Sequence, residues 1–389
     1  DTSSAASDVY KRQEGDRKMM TQEEKRAAYY KTPQRLHVYE SSDKAKEIVQ
    51  KSITIDTLFS GVVPIQWSTP QAPEFHDEMD KIKAAGFKTI GACTTADALG
   101  ASFVETMKAL ELYLAKFHER PDKYQLVRTA ADIDKAIAED KLGIYFTHQG
   151  TDILEGDPER VSVLRQLGYG YCLLAYNSRN PVGDGAFEPD NGHLTIYGKA
   201  VIDAYNKYGL IVDVSHTGIN TSLDAIERSS APVISSHSGA RAINDYPRCH
   251  TDEVTKALAQ SGGVHCINTV GGFVDPTNPD IVSTDIIFKH IDHIVNLVGI
   301  DHAGYGSDFI PDVYVTSESG QTPLADAIFP DPRGGHMFQD MCKKGVPTPA
   351  PYQFIAALVD KMLEHGYSNE DCGKVIGGNV YRVFKQAWK

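Results

Sequence analysis

Two histidines carry the clearest chemistry in this sequence. His216 ends the run Leu210-Ile-Val-Asp-Val-Ser-His216, and His237 ends Pro232-Val-Ile-Ser-Ser-His237. Between them, Thr217 to Ser229 places Ile219, Leu223 and Ile226 at helical spacing. Strand, helix and strand in this order form a β-α-β unit, whose parallel strands end side by side on the rim where α/β proteins place ligands. Two imidazoles converging on that rim are a metal-binding pattern. Either histidine alone reads as a polar helix cap; the pair reads as a site.

Such a rim needs a sheet to hold it, and the chain repeats one phrase that builds sheets: an amphipathic helix, a glycine, then a strand. The phrase occurs at Gly86, Gly168, Gly209 and Gly262. Glycine just past a helix end takes the left-handed conformation that turns the chain into the next strand. Strands are predicted at Ile53–Asp56, Thr89–Ala92, Gly143–Thr147, Tyr171–Tyr176, Leu210–Val214, Val233–Ser236, Val264–Asn268 and Ala303–Asp308. Eight alternating units predict an α/β fold, a single (β/α)8 TIM-type barrel spanning 20–389, with an open doubly wound sheet as the alternative. The helices at Ser42 to Lys51 and Thr21 to Tyr30 read as a cover over the barrel floor. Phe309 to Pro351 reads as a long loop over the rim, and Ser368 with Asp371 as the cap of a last helix.

Composition narrows the function further. A formal net charge of -13 with no basic stripe argues against nucleic acid and favours a small substrate. The six cysteines are scattered without a C-x-x-C pair, so neither a structural zinc site nor a disulfide framework is indicated. No apolar run approaches the roughly 18 residues that span a bilayer. The chain therefore reads as soluble, in a bacterial cytoplasm or, if a signal sequence has been lost, a periplasm. Residues 1–19 are polar and patternless and read as a non-native or disordered leader.

In a barrel of this kind the chemistry lies at the carboxyl ends of the strands. Those ends read Asp56, His148-Gln149, Tyr176-Asn177, His216, His237 with Arg241 nearby, Asn268 and Asp308. Together with Asp213-Val-Ser-His216, Ser236-His-Ser-Gly-Ala-Arg241, Gly306-Ser-Asp308-Phe and Ile376-Gly-Gly-Asn379, that series resembles the renal, or membrane, dipeptidases, a branch of the amidohydrolase superfamily. The resemblance implies zinc at the barrel mouth. It implies His216 and His237 as ligands of one ion, Asp308 as a ligand near the attacking water, and Arg241 on the substrate carboxylate. It also implies pairing into a homodimer. The family's His-x-Asp pair on the first strand falls at Leu58 and Ser60, its bridging glutamate at Gln149, and a substrate-contacting histidine at Tyr176. A neutral amide cannot hold two dications together, so the expectation is one zinc at most, held by His216, His237 and Asp308.

Two functions follow. The first is a dipeptidase-like metallohydrolase, with Asp308 and Tyr176 in catalysis and Arg241, Tyr176, Asn177 and Gln149 on the substrate. The second is a metal-free, non-hydrolytic protein that binds or helps mature a peptide-like ligand. Alternation along the third strand points His148 away from Gln149, into the core. His290, His293 and His302 read as surface or helix-end groups, and Asp56 as an acceptor for rim-loop amides.

Overall fold

The computed structural model describes residues 33–59, 75–97, 102–275, 277–278, 280–309 and 348–388. The leader over 1–19, the segment 21–30, Ser60 and most of the loop predicted after the eighth strand lie outside these residues. Eight strands run in chain order around the sheet: β1 (Thr54–Phe59), β2 (Phe87–Ala96), β3 (Leu142–Gln149), β4 (Tyr169–Leu173), β5 (Ile211–Asp213), β6 (Ile234–Ala240), β7 (Val264–Ile267) and β8 (Ala303–Tyr305). Each is parallel to the next. Two short strands, Tyr124–Leu126 and Cys249–His250, lie beside β3 and β6. The fold is the α/β TIM-type barrel expected from the repeated phrase. All four of its glycines hold positive φ, from 75° at Gly209 to 109° at Gly86.

The seam between β8 and β1 is tied by individual hydrogen bonds rather than a ladder. The Asp308 N–H donates to the Leu58 carbonyl at 3.0 Å. The Thr57 hydroxyl lies 2.5 Å from the Ser236 carbonyl and 3.0 Å from that of Tyr305. A Cβ at Gly306 would sit 2.0 Å from the Ser236 oxygen and 2.1 Å from the Thr57 hydroxyl, so only glycine lets the seam close here.

Inside the barrel Ile55, Tyr145, Tyr171, Leu173, Ile211, Ile234, Val264 and Cys266 form one apolar cluster with Val380, Val383, Phe384 and Trp388. The last four belong to the C-terminal segment, whose helix Asn379–Ala387 plugs the barrel floor. Trp388 stacks on Phe384 with ring centroids 3.8 Å apart and donates its indole N–H to the Gly170 carbonyl at 3.0 Å. For the helix over Asp43–Lys51 this corrects the expectation of a cover over the floor. The helix Asp43–Lys51 packs outside the barrel against the helix Pro351–Glu364, where the Ser42 hydroxyl donates to Asp360 at 2.6 Å. Bulky aromatic side chains fill a barrel end; Ala45, Ile48 and Val49 form only a narrow stripe suited to helix packing. The predicted capping box at Ser368 and Asp371 is present.

Asp56 secures the same seam, accepting from the N–H groups of Ser307 (2.8 Å) and Leu58 (3.2 Å) and from the Ser307 hydroxyl (2.5 Å). Burial pushes its carboxyl up to about 7, against the pull of those donors. The folded state therefore holds this proton more tightly than the unfolded chain. Its contribution to stability is present in full below the unfolded pKa and is lost as pH rises through about 7. Urea titrations of the parent and of Asp56→Asn should show the parent alone losing on the order of 1 kcal/mol per pH unit between about 4 and 7 from this group. Parallel curves for the two proteins would contradict it.

Candidate metal and substrate site

The barrel mouth collects residues in unusual backbone conformations. His216, Asn177 and Asp308 hold φ values of 61°, 62° and 51°. Non-glycine residues in that region are costly and concentrate where a side chain must be aimed. His216 follows β5, Asn177 follows β4, Asp308 follows β8, and His237 lies within β6.

The two histidines meet. His216 Nε2 lies 3.0 Å from His237 Nε2. On the far side of each ring the partners assign the tautomer. His216 Nδ1 lies 2.7 Å from Asn177 Oδ1, a carbonyl oxygen that can only accept, so Nδ1 carries the proton. His237 Nδ1 lies 2.6 Å from the Ser236 hydroxyl, which donates its single proton to the Asp213 carboxylate. With Asp213 ionised against the upward push of its burial, Nδ1 of His237 is the donor as well. Burial drives both rings far below the usual histidine range, and the nearby Arg248 guanidinium acts in the same direction. Both rings are neutral, and two nitrogen lone pairs face each other.

That opposition fits a cation. Two nitrogens each about 2.0–2.1 Å from one zinc stand roughly 3 Å or slightly more apart. The Nδ1–H contacts to Asn177 and to the Ser236–Asp213 pair are of the kind that orient metal-binding imidazoles. At the positions where the resemblance would put ligands of a second ion, Leu58 is apolar and fully buried, and the Gln149 amide lies 3.4 Å from the Cys93 sulfur. Among the described residues no three His, Cys, Asp or Glu side chains are grouped to hold one ion. Asp308 is thus at the mouth but outside the immediate seat of the pair.

Tyr176 stacks on the His216 ring, with centroids 4.1 Å apart and planes inclined by 20°. Burial first, and then Asp308, raise its phenol, so it stays protonated. Asn177 is fully buried, with its Oδ1 against His216 Nδ1. His148 lies in the core as alternation predicts, with Nδ1 3.0 Å from the Gly150 carbonyl. His290 departs from its surface reading: it is fully buried, accepts the Ala240 N–H at 2.9 Å and reaches the Val274 carbonyl at 2.9 Å.

Arg241 lines a separate cavity with Phe187, Pro247 and His250. The guanidinium against the histidine pair is that of Arg248, 1% exposed, which donates through Nη2 to the His237 carbonyl at 2.9 Å. Among the described residues its Nε and Nη1 are buried without a hydrogen-bond partner, and Asp308 and Tyr176 are its electrostatic neighbours. Buried donors on a cation are costly to leave unmet, so this group is set to receive an anion. Sequence reading missed Arg248 because Tyr246-Pro-Arg-Cys-His250 has no period to place it. It also passed over Asp213, Ser215 and Ser236, although the patterns Asp-x-Ser-His and Ser-Ser-His set them directly beside the histidines.

Comparison with known proteins places this geometry in context. The family model for membrane dipeptidase (peptidase family M19) matches residues 31–319. An uncharacterized dipeptidase of Schizosaccharomyces pombe is 30% identical over 72% of the chain and 61% of its own length. Dipeptidase verJ of Clonostachys rogersoniana is 26% identical over 74% of the chain and 66% of its own length. The chain thus spans less than two thirds of these curated relatives. Among solved structures, an amidohydrolase from Pseudomonas aeruginosa shares the fold with a TM-score of 0.71 at 24% identity, covering 88% of this chain and 99% of that one. A metallo peptidase from Rhodobacter sphaeroides, liganded with a phosphinate mimic of the dipeptide L-Ala-D-Ala, does so at 0.66 and 18%, covering 86% and 100%. Among the described residues no helix is long and apolar enough to cross a membrane.

Proposed function

The chain belongs to the membrane dipeptidase family, peptidase family M19, and on that footing we propose that it hydrolyses a peptide or amide bond beside a free carboxylate, using at most one zinc ion. The observation that carries this reading is the opposition of two imidazole lone pairs at 3.0 Å beside a buried guanidinium with open donors. The dipeptide mimic held by the Rhodobacter sphaeroides relative supports the substrate class.

In this reading His216 and His237 hold the ion, which when bound supplies a polarised carbonyl and an activated water. Arg248 receives the substrate carboxylate on Nε and Nη1, taking the part the sequence assigned to Arg241. Tyr176 donates its phenol proton in a hydrogen bond to the substrate, and Gln149 offers its amide to the peptide backbone. Asp308 accepts the proton released by the attacking water. Asn177, Ser236 and Asp213 keep both Nε2 atoms free of protons.

Zinc-loaded protein should release free amino acids from a dipeptide panel, stop when a chelator is added, and cleave C-terminally amidated analogues at least tenfold more slowly. Equal rates on free and amidated peptides, or no turnover at all, would contradict the proposal. The missing third donor among the described residues favours a second reading, a non-hydrolytic protein that binds or helps mature a peptide-like ligand. Under it the same dipeptides bind without turnover, and chelation leaves the affinity unchanged.

A further inference from the structure

The loops after β4, β5 and β6 enclose a cavity of about 460 Å³ whose lining includes neither His216 nor His237. Its wall is the turn Thr217-Gly218 behind His216, and Phe187, Ile219 and Pro247 make much of the rest apolar. We propose that this cavity is a second ligand site, built for a small carboxylate with an apolar body and clamped by Arg241 and His250. The site is independent of the hydrolytic reading.

Arg241 supplies the charge. Its Nε is buried and without a hydrogen-bond partner, and Nη2 reaches the Tyr246 carbonyl only at 3.4 Å. Asp245 stands 3.8 Å from Nε but is 94% exposed, so solvent screens most of its pull. A planar fork with open N–H groups matches a carboxylate bidentately.

His250 supplies the second contact. It is 5% exposed, and its Nε2 lies 2.9 Å from the Ser235 hydroxyl, which fixes the ring and leaves Nδ1 with no hydrogen-bond partner among the described residues. Glu188 also lines the cavity, but one of its oxygens accepts the Arg179 N–H at 2.7 Å. The volume falls within the roughly 300–1,000 Å³ of small-molecule sites, and apolar walls with a few convergent polar groups are their usual composition.

Calorimetric titration of the full chain with hexanoate, 1-hexanol and inorganic phosphate tests the site. Hexanoate should saturate a site that depends on Arg241, with 1-hexanol and phosphate each at least tenfold weaker. Arg241→Gln should weaken hexanoate at least tenfold, Arg241→Lys by an intermediate factor, and Arg248→Met by less than twofold, with thermal melts confirming that each variant folds. Failure of hexanoate to saturate, equal binding of phosphate, or hexanoate binding kept by Arg241→Gln and lost by Arg248→Met would overturn the proposal. The last result would move the ligand to the histidine pair. Because Arg248 is not part of this cavity's lining, failure here leaves the proposed hydrolysis standing.

Discussion

Arg248→Met is expected to weaken binding of a phosphinate dipeptide mimic at least a hundredfold while leaving the fold intact. Methionine occupies a similar buried volume without the charge. Arg248 lies beneath the mouth with two unmet donors, Nε and Nη1. Charge-assisted hydrogen bonds are worth about 1.5–3 kcal/mol each, so losing two costs roughly 3–6 kcal/mol, or two to four orders of magnitude in affinity. Arg248→Lys retains the charge but not the fork, and should lose about tenfold or more. Calorimetry on the three proteins checks this, and an affinity within threefold of the parent in Arg248→Met would remove Arg248 from substrate recognition.

The second large effect lies beneath the histidines. Asp213 is fully buried and accepts from the N–H groups of Ser215 (2.9 Å) and Ser236 (3.0 Å), and from the Ser236 hydroxyl. Asp213→Ala leaves these donors unsatisfied and should cost about 3–5 kcal/mol in chemical denaturation. Asp213→Asn behaves differently. Its amide oxygen can still take the two backbone donors, but its NH2 now faces Ser236 and makes that hydroxyl an acceptor. The Ser236 proton then turns to His237 Nδ1 and shifts the ring to its Nε2–H tautomer, which removes one of the two lone pairs. Zinc affinity should fall by about 10–100-fold, the range seen when partners behind metal ligands are changed. Unchanged zinc affinity in folded Asp213→Asn would contradict the tautomer assignment.

The barrel was legible because its signals are local and periodic. Glycines 86, 168, 209 and 262 each close a helix, and short apolar runs follow them. The floor was not legible: Phe384 and Trp388 plug the barrel through packing at long sequence separation, which helical periodicity cannot assign to one surface rather than another. At the site, His216 and His237 could be read from the β-α-β spacing. Arg241 was read from the Ser236-His-Ser-Gly-Ala-Arg241 motif, whereas Arg248 was not seen because it returns to the His237 carbonyl only through an aperiodic turn. Asn177 was legible as a rim residue but not as a partner of His216, because its left-handed backbone re-aims the side chain. His290 looked like a helix-surface histidine, yet its helix Thr284–Val298 turns it inward to bridge Ala240 and Val274.

The most direct test of the histidine pair as a one-metal seat is elemental analysis of protein purified without chelator and reconstituted with zinc, beside the His216→Ala, His237→Ala double variant. About one zinc per chain, lost in the folded double variant, is the predicted result. No zinc in the reconstituted parent, or the same zinc content in both proteins, would contradict it.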